Sequence, residues 1–220
     1  MYVIRCLQLK SPLPDPNKNE RIVIIMCGRY YFSGMTNDEK LTAIVNMMDR
    51  KYPGAYKTGE IFPGDTAPAV IQQGGKLLPV PAVFGFPGFD GNRLLINARS
   101  ETAAQKKTFA DSLEKRRAIL PALGFYEWSH DGKKTKYFFQ IEDQPVLYLC
   151  GVYKVIDGQA RFVILTRPAN EAMIEIHDRM PVIAKENEVR PYLMDRDAAM
   201  EIIVVNAPAL TRELADTKKS

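Results

Sequence analysis

Cysteine and histidine are scarce in this chain of 220 residues. It holds three cysteines, Cys6, Cys27 and Cys150, and two histidines, His130 and His177. With no Cys-x-x-Cys pair among them, that supply argues against a zinc site and against a disulfide framework, and a reducing cytoplasm is the expected compartment. Long apolar runs are missing too. Before Met26 the only one is Ile22–Met26, too short for a signal-peptide core or a membrane span. There is no Walker-type phosphate loop, internal repeat or low-complexity tract. Nor is there a strong charge imbalance: 30 basic against 26 acidic residues give a net +4, which permits a nucleic-acid groove without demanding one. No metal and no cofactor is expected, and the chain is expected to act as a monomer away from membranes.

What is present is enough for one core. At 46% hydrophobic content, a chain this long can bury a complete interior as a single domain. Arg29–Phe32 reads as a strand. Thr36–Lys51 reads as an amphipathic helix capped by Thr36 or Asn37, with Leu41, Ile44, Val45 and Met48 on one face. Strands are expected at Ala67–Gln72, Leu77–Phe84, Leu94–Asn97, Ala118–Leu123, Tyr137–Ile141, Val146–Tyr153 and Phe162–Thr166, and a second helix at Thr102–Arg117. Turn signals such as Asp131-Gly132 and Asp157-Gly158 separate the later strands. Strands dominate the middle, helices lie toward the ends, and no βαβ rhythm is visible. The pattern predicts an α+β fold: one domain with a mostly antiparallel, barrel-like sheet flanked by helices.

Four short strings carry candidate chemistry. The first is Met26-Cys27-Gly28-Arg29-Tyr30. If Cys27 were the first residue, its α-amine and thiol would form a 1,2-aminothiol, which closes a thiazolidine ring on an aldehyde. With amine pKa values of roughly 7.7–8.0 and thiol values near 8.5, both groups keep a reactive fraction at neutral pH. The second is Ile96-Asn97-Ala98-Arg99-Ser100-Glu101-Thr102, where an amide can orient a substrate and a guanidinium can grip a phosphate. In the third, Gly124-Phe125-Tyr126-Glu127-Trp128, burial among aromatics would raise the Glu127 pKa and suit it to proton transfer. The fourth, Ile176-His177-Asp178-Arg179-Met180-Pro181, offers an imidazole and a guanidinium in a loop.

Each string has an ordinary alternative. Cys27 could be a small buried hydrophobe, and Asn97 and Arg99 a turn amide and a surface ion pair. Glu127 could bridge to Lys136, and His177 could merely bond within its loop. His130, beside Asp131-Gly132, is assigned to its turn.

Taken together and in this order, the four strings resemble the SRAP family (SOS response-associated peptidase, or abasic-site processing proteins), with the resemblance running from about Met26 to Leu193. It implies a protein that binds single-stranded or junction DNA and captures the ring-opened aldehyde of an abasic site as a covalent thiazolidine, shielding the lesion during the DNA damage response. It also implies an initiator methionine removed to expose the cysteine, with peptidase activity confined to self-processing. By residue, Cys27 would be the nucleophile, Glu127 the proton shuttle, His177 the acid at the sugar oxygen, and Asn97 the group holding the sugar. Arg29, Arg99 and Arg179 would contact phosphates, and Lys107 falls where a basic residue is expected. Pro63, Phe84 and Thr166 complete the DNA-binding set.

The chain departs from that family in places. Phe84-Gly85-Phe86-Pro87-Gly88-Phe89 stands where a tryptophan-rich stretch is common, leaving smaller rings to stack on bases. Glu60-Ile61-Phe62-Pro63 keeps only the proline of another string, and Leu123 replaces an expected aspartate. The largest departure is the arm before Met26, expected to be missing from the mature protein, so that residues 1–25 form the arm and 26–220 the domain. A DNA-binding module that never cross-links, and an amidohydrolase with an N-terminal cysteine, are the competing classes.

Overall fold

A computed structural model describes residues 28–88, 93–142, 144–204 and 208–215. Cys27 and the arm lie outside them. In chain order the strands and helices are β1 (Arg29–Phe32), α1 (Glu39–Lys51), β2 (Gly59–Ile61), β3 (Thr66–Gln73), β4 (Lys76–Phe84), β5 (Phe86–Pro87), β6 (Leu94–Leu95), β7 (Asn97–Arg99), α2 (Ser100–Ala103) and α3 (Ala110–Lys115). They continue with β8 (Arg117–Ala122), β9 (Gly124–Trp128), β10 (Lys136–Gln140), β11 (Leu147–Ile156), β12 (Gln159–Pro168), β13 (Arg179–Pro181), β14 (Ile183–Ala184), α4 (Val189–Met194), α5 (Arg196–Ile202) and β15 (Thr211–Leu214).

The strands form two main sheets. The smaller runs β15-β10-β9-β1-β2 and its pairs are antiparallel. The larger runs β13-β12-β4-β3-β8-β11-β14, and the extra β11–β12 pairing closes β12, β4, β3, β8 and β11 into a ring. Only β12 breaks the antiparallel pattern, lying parallel to β4 and to β7. The expected α+β fold with a mostly antiparallel, ringed sheet is what the chain adopts. Ile119, Leu120, Leu149, Phe162 and Val163 of these strands are buried on alternating faces, so the sheet is covered on both, and Phe84 stacks flat on Phe162 at 5.0 Å between ring centroids.

Two glycines permit close approaches. A Cβ on Gly151 of β11 would sit 2.6 Å from the Val163 carbonyl oxygen on the paired strand. One on Gly124, at the start of β9, would sit 2.3 Å from the Phe138 ring. Neither contact is tolerable, so glycine opens β9 where a side chain would push β10 away.

The helices differ from expectation. The first begins at Glu39, capped by Asp38, whose carboxylate accepts the Leu41 N–H at 2.8 Å. Thr36 does not cap it, because its hydroxyl accepts the Asp38 N–H and holds the residues before Asp38 in a turn. The helix expected over 102–117 is two short ones, α2 and α3, and Arg117 belongs to β8. Phe109 is buried between them, and the Arg117 guanidinium folds inward to donate to four carbonyls, those of Leu113, Glu114, Tyr192 and Leu193. Those bonds close the end of α3 and tie it to α4, which a continuous helix would forbid.

Candidate active site

Strand alternation places the first functional group. In β1, Tyr30 and Phe32 point into the core while Arg29 and Tyr31 face outward. In β9, Phe125 and Glu127 point inward, with Tyr126 and Trp128 outward. Glu127 therefore enters the interior as part of a strand's apolar face and is 3% exposed. Arg29 lies opposite Tyr126, so continuing that register by one residue sets Gly28 level with Glu127. Lys136 is opposite Trp128, and it bonds Glu60 at 2.9 Å.

The ringed sheet supplies the other side. Strands β7, β12 and β13 lie edge to edge, with Asn97 level with Ile164, and Thr166 level with both Arg99 and Pro181. The Asn97 amide nitrogen is buried and has no hydrogen-bond partner among the described residues. Thr166 is wholly buried, and its carbonyl accepts from Arg179 Nη2 at 2.7 Å. Glu101, in the first turn of α2, takes both Nη atoms of Arg179, with the Nη2–Oε2 bond at 2.7 Å. Those bonds hold the Glu101 carboxyl down at about 2.

His177 sits between the sheets. It is 2% exposed, and its Nδ1 accepts the Arg179 backbone N–H at 3.0 Å. The Asp178 carboxylate is 3.0 Å from the same nitrogen. A nitrogen accepting an N–H has no proton to donate, so the Arg179 bond calls for the neutral tautomer with hydrogen on Nε2, whereas the Asp178 carboxylate at the same nitrogen favours a ring protonated on Nδ1. Burial lowers the His177 pKa, against the opposing pull of Asp178. Its Nε2 has no hydrogen-bond partner among the described residues. His130, from the turn after β9, presents its ring to that of His177 at 4.6 Å between centroids and 67° between planes. The turn assignment of His130 stands, but it understates the residue, which links the two sheets at the site.

Outside this pocket, the small sheet displays interleaved rings and cations. The Arg29 guanidinium lies over Phe62 at 4.4 Å and over Trp128 at 4.7 Å. Lys136 lies over Tyr126 at 3.9 Å, and Lys57 over Phe62 at 4.7 Å. Glu60 and Asp65 pair with these cations.

The sequence-derived site thus divides. Asn97, Arg99, Thr166, Arg179 and His177 converge on the end of the ringed sheet, and Glu127 and Arg29 come from the small sheet. Exposed Pro63 lies beside them in the 62–65 turn, whose Gly64 N–H donates to the Phe84 carbonyl. Lys107 is exposed in the turn between α2 and α3. Two expectations need correction. Phe84 and Phe86 are buried, so they offer no face to a base and instead support the site from beneath. Arg179 is buried and its Nη atoms are occupied by Glu101 and Thr166, so it braces His177 and Glu101 rather than standing free for a phosphate. The residues overlooked in the sequence are Phe62, Trp128 and Lys136 as an outer platform, and His130. The outward phase of β9 was the available signal for Trp128; nothing local marks Phe62 or His130.

Residues 26–216 match the family described as SOS response associated peptidase (SRAP). The chain belongs to the SRAP family. Among relatives of this SRAP domain, abasic site processing protein YedK of Escherichia coli K12 is 28% identical over 189 residues, covering 80% of this chain and 83% of YedK. Abasic site processing protein YoaM of Bacillus subtilis 168 is 29% identical over 198 residues, covering 81% and 83%. A crystal structure of a protein from Bacteroides thetaiotaomicron superposes with a TM-score of 0.69 at 18% identity, covering 88% of this chain and 95% of that one. It shows a shared fold. No described helix is long and apolar enough to cross a membrane.

Proposed function

We propose that this SRAP chain processes abasic sites in single-stranded or junction DNA by forming a thiazolidine through Cys27, after removal of the residues up to Met26. The reading draws on relatives named for abasic-site processing. The observation that supports it is the β1–β9 register, Arg29 opposite Tyr126 and Tyr30 opposite Phe125, which continued by one residue sets Gly28 level with Glu127. Cys27 is one peptide bond from Gly28, about 3.8 Å between Cα atoms, so its amine and thiol would be delivered beside a buried carboxylate.

The chemistry then runs in two bond-forming steps. The Cys27 amine attacks C1′ of the ring-opened sugar, and water leaves to give an imine. The thiolate adds to the same carbon, closing the C–S bond while the nitrogen takes a proton. Glu127 shuttles protons between the amine and the departing oxygen. His177, neutral with hydrogen on Nε2, donates to the sugar ring oxygen as it opens, and the Asn97 amide holds the sugar. Arg29, Trp128 and Phe62 offer cation and stacking faces to the neighbouring nucleotides, and exposed Arg99 and Lys107 offer phosphate contacts. Peptidase activity in this reading is self-processing ahead of Cys27.

The test is N-terminal sequencing of protein made in its own host, with incubation of that protein on single-stranded DNA carrying one abasic site. The expected result is a chain starting at Cys27 and a protein–DNA species that survives denaturing gels. A host-made chain that keeps residues 1–26 and still cross-links overturns the role of the free amine.

A further inference from the structure

Cations and rings alternate along the small sheet in the order Lys57, Phe62, Arg29, Trp128, Lys136, Tyr126, each cation lying 3.9–5.5 Å from the centroids of the rings beside it. The carboxylates among them are fewer. Asp65 takes Lys57 at 2.7 Å and also accepts the Phe62 N–H at 2.8 Å, so it is committed to its own turn. Glu60, on edge strand β2, takes the other two cations at once. It accepts from Arg29 Nη1 at 3.2 Å, and both its oxygens accept from Lys136 Nζ, at 3.0 and 2.9 Å. One carboxylate cannot neutralise two cations, so the triad of Arg29, Lys136 and Glu60 keeps one net positive charge.

We propose that Glu60 sets the electrostatic hold of this face on DNA: it withholds Lys136 from the strand and leaves Arg29 as the cation that meets a phosphate. The inference rests on the proposed passage of single-stranded DNA over this face, and not on the thiazolidine.

The two cations are not held alike. Lys136 is the more enclosed, with its side chain 19% exposed and gripped by both oxygens, whereas Arg29 is 37% exposed and held by a single longer bond. A phosphate approaching the face reaches Arg29 first and finds a carboxylate already beside it. Repulsion between that phosphate and Glu60 offsets part of the attraction to each cation, and close to a protein surface it is large enough to change affinity several-fold. Each phosphate neutralised releases counterions, so the number of available cations is readable as a salt slope, about 0.7 per phosphate on a single strand. The triad offers one net positive charge with Glu60 ionised and two without it. An undamaged strand therefore gains little from this face, and lasting attachment is left to the pocket that takes the aldehyde.

Fluorescence anisotropy of an undamaged single-stranded oligonucleotide across a salt series tests this in the full chain. Glu60→Gln keeps the shape and removes the charge. It should tighten binding by about three- to tenfold at low salt and steepen the slope of log affinity against log salt by about 0.7. Adding Lys136→Gln to that variant should return affinity and slope close to those of the parent, because one positive charge again remains. Glu201→Gln, which removes the same charge from an exposed position of α5, should leave the slope unchanged. A gain of affinity separates this role from packing, since a loosened sheet would weaken binding. If the parent binds and Glu60→Gln binds no tighter, or if the double variant keeps the steeper slope, this inference alone is overturned. If neither the parent nor Glu60→Gln binds single-stranded DNA, it falls together with the DNA reading.

Discussion

Arg179 is clasped by Glu101 across the gap between β13 and the first turn of α2, with both Nη atoms on one carboxylate. Through that clasp a residue of the Asn-Ala-Arg-Ser-Glu string reaches one of the His-Asp-Arg-Met-Pro string, 78 positions away. The same arginine donates its backbone N–H to His177 and a guanidinium hydrogen to the Thr166 carbonyl. Glu101 therefore braces the site without facing the reaction.

The clasp has a pH signature. The Glu101 pKa is lowered from 4.5 to about 2. A carboxyl depressed by folding adds stability that is fully present above the unfolded value and is lost as pH falls from 4.5 through 2. Its side chain is 44% exposed, so solvent screening limits the pair itself to the surface range. Glu101→Gln should lower stability at pH 7 by about 1–3 kcal/mol, because Arg179 is left buried with a weaker partner. Thermal unfolding at pH 7 and pH 3 should show the gap between variant and parent shrinking in acid. A constant gap contradicts the assignment.

Replacing Glu127 with glutamine keeps its shape and removes its proton chemistry. The cross-linking rate of a chain starting at Cys27 should fall by about 10²–10⁴-fold, with the unfolding temperature nearly unchanged. A rate within twofold of the parent means the carboxylate is structural.

Arg29 and Trp128 are predicted to carry affinity rather than chemistry. Trp128→Ala should weaken binding of undamaged single-stranded DNA by about 1–3 kcal/mol. Arg29→Ala should flatten the slope of log affinity against log salt by about 0.7. Fluorescence anisotropy across a salt series separates the two, and an unchanged slope for Arg29→Ala removes it from the phosphate path.

Arg117 is a stability residue. Its guanidinium is buried against four backbone carbonyls and closes α3 onto α4. Arg117→Met should cost roughly 3 kcal/mol or more, about 6–12 °C in unfolding temperature for a domain this size. Retention of the parent's melting temperature would mean water replaces those bonds.

Much of this was legible in the sequence because local rules and tertiary structure agree. Tyr30 and Phe32 alternate with Arg29 and Tyr31 on a strand predicted with the right bounds. The paired strands between Ala67 and Thr166 followed from β-branched runs and turn residues. Failures came where a distant group decided the outcome. The helix expected over 102–117 ends before Arg117 because that side chain turns inward to carbonyls of α3 and α4, which no local pattern encodes. Strands as short as β2, β13 and β14 take their form from partners far along the chain. The site residues were legible as motifs, but their postures were not. Arg179 looked like a free cation until Glu101 was brought against it, Phe84 looked like a stacking platform until Phe162 covered it, and His130 looked like a turn residue until the sheets met.

The central claim is that Cys27 reacts through a free α-amine together with its thiol. Its most direct test is intact mass measurement after mixing DNA carrying one abasic site with two chains, one starting at Cys27 and one starting at Met1. The account predicts an adduct equal to protein plus DNA minus one water for the chain starting at Cys27, and none for the longer chain unless it is first cleaved before Cys27. An equal adduct on an uncleaved chain starting at Met1, or no adduct on either, contradicts it.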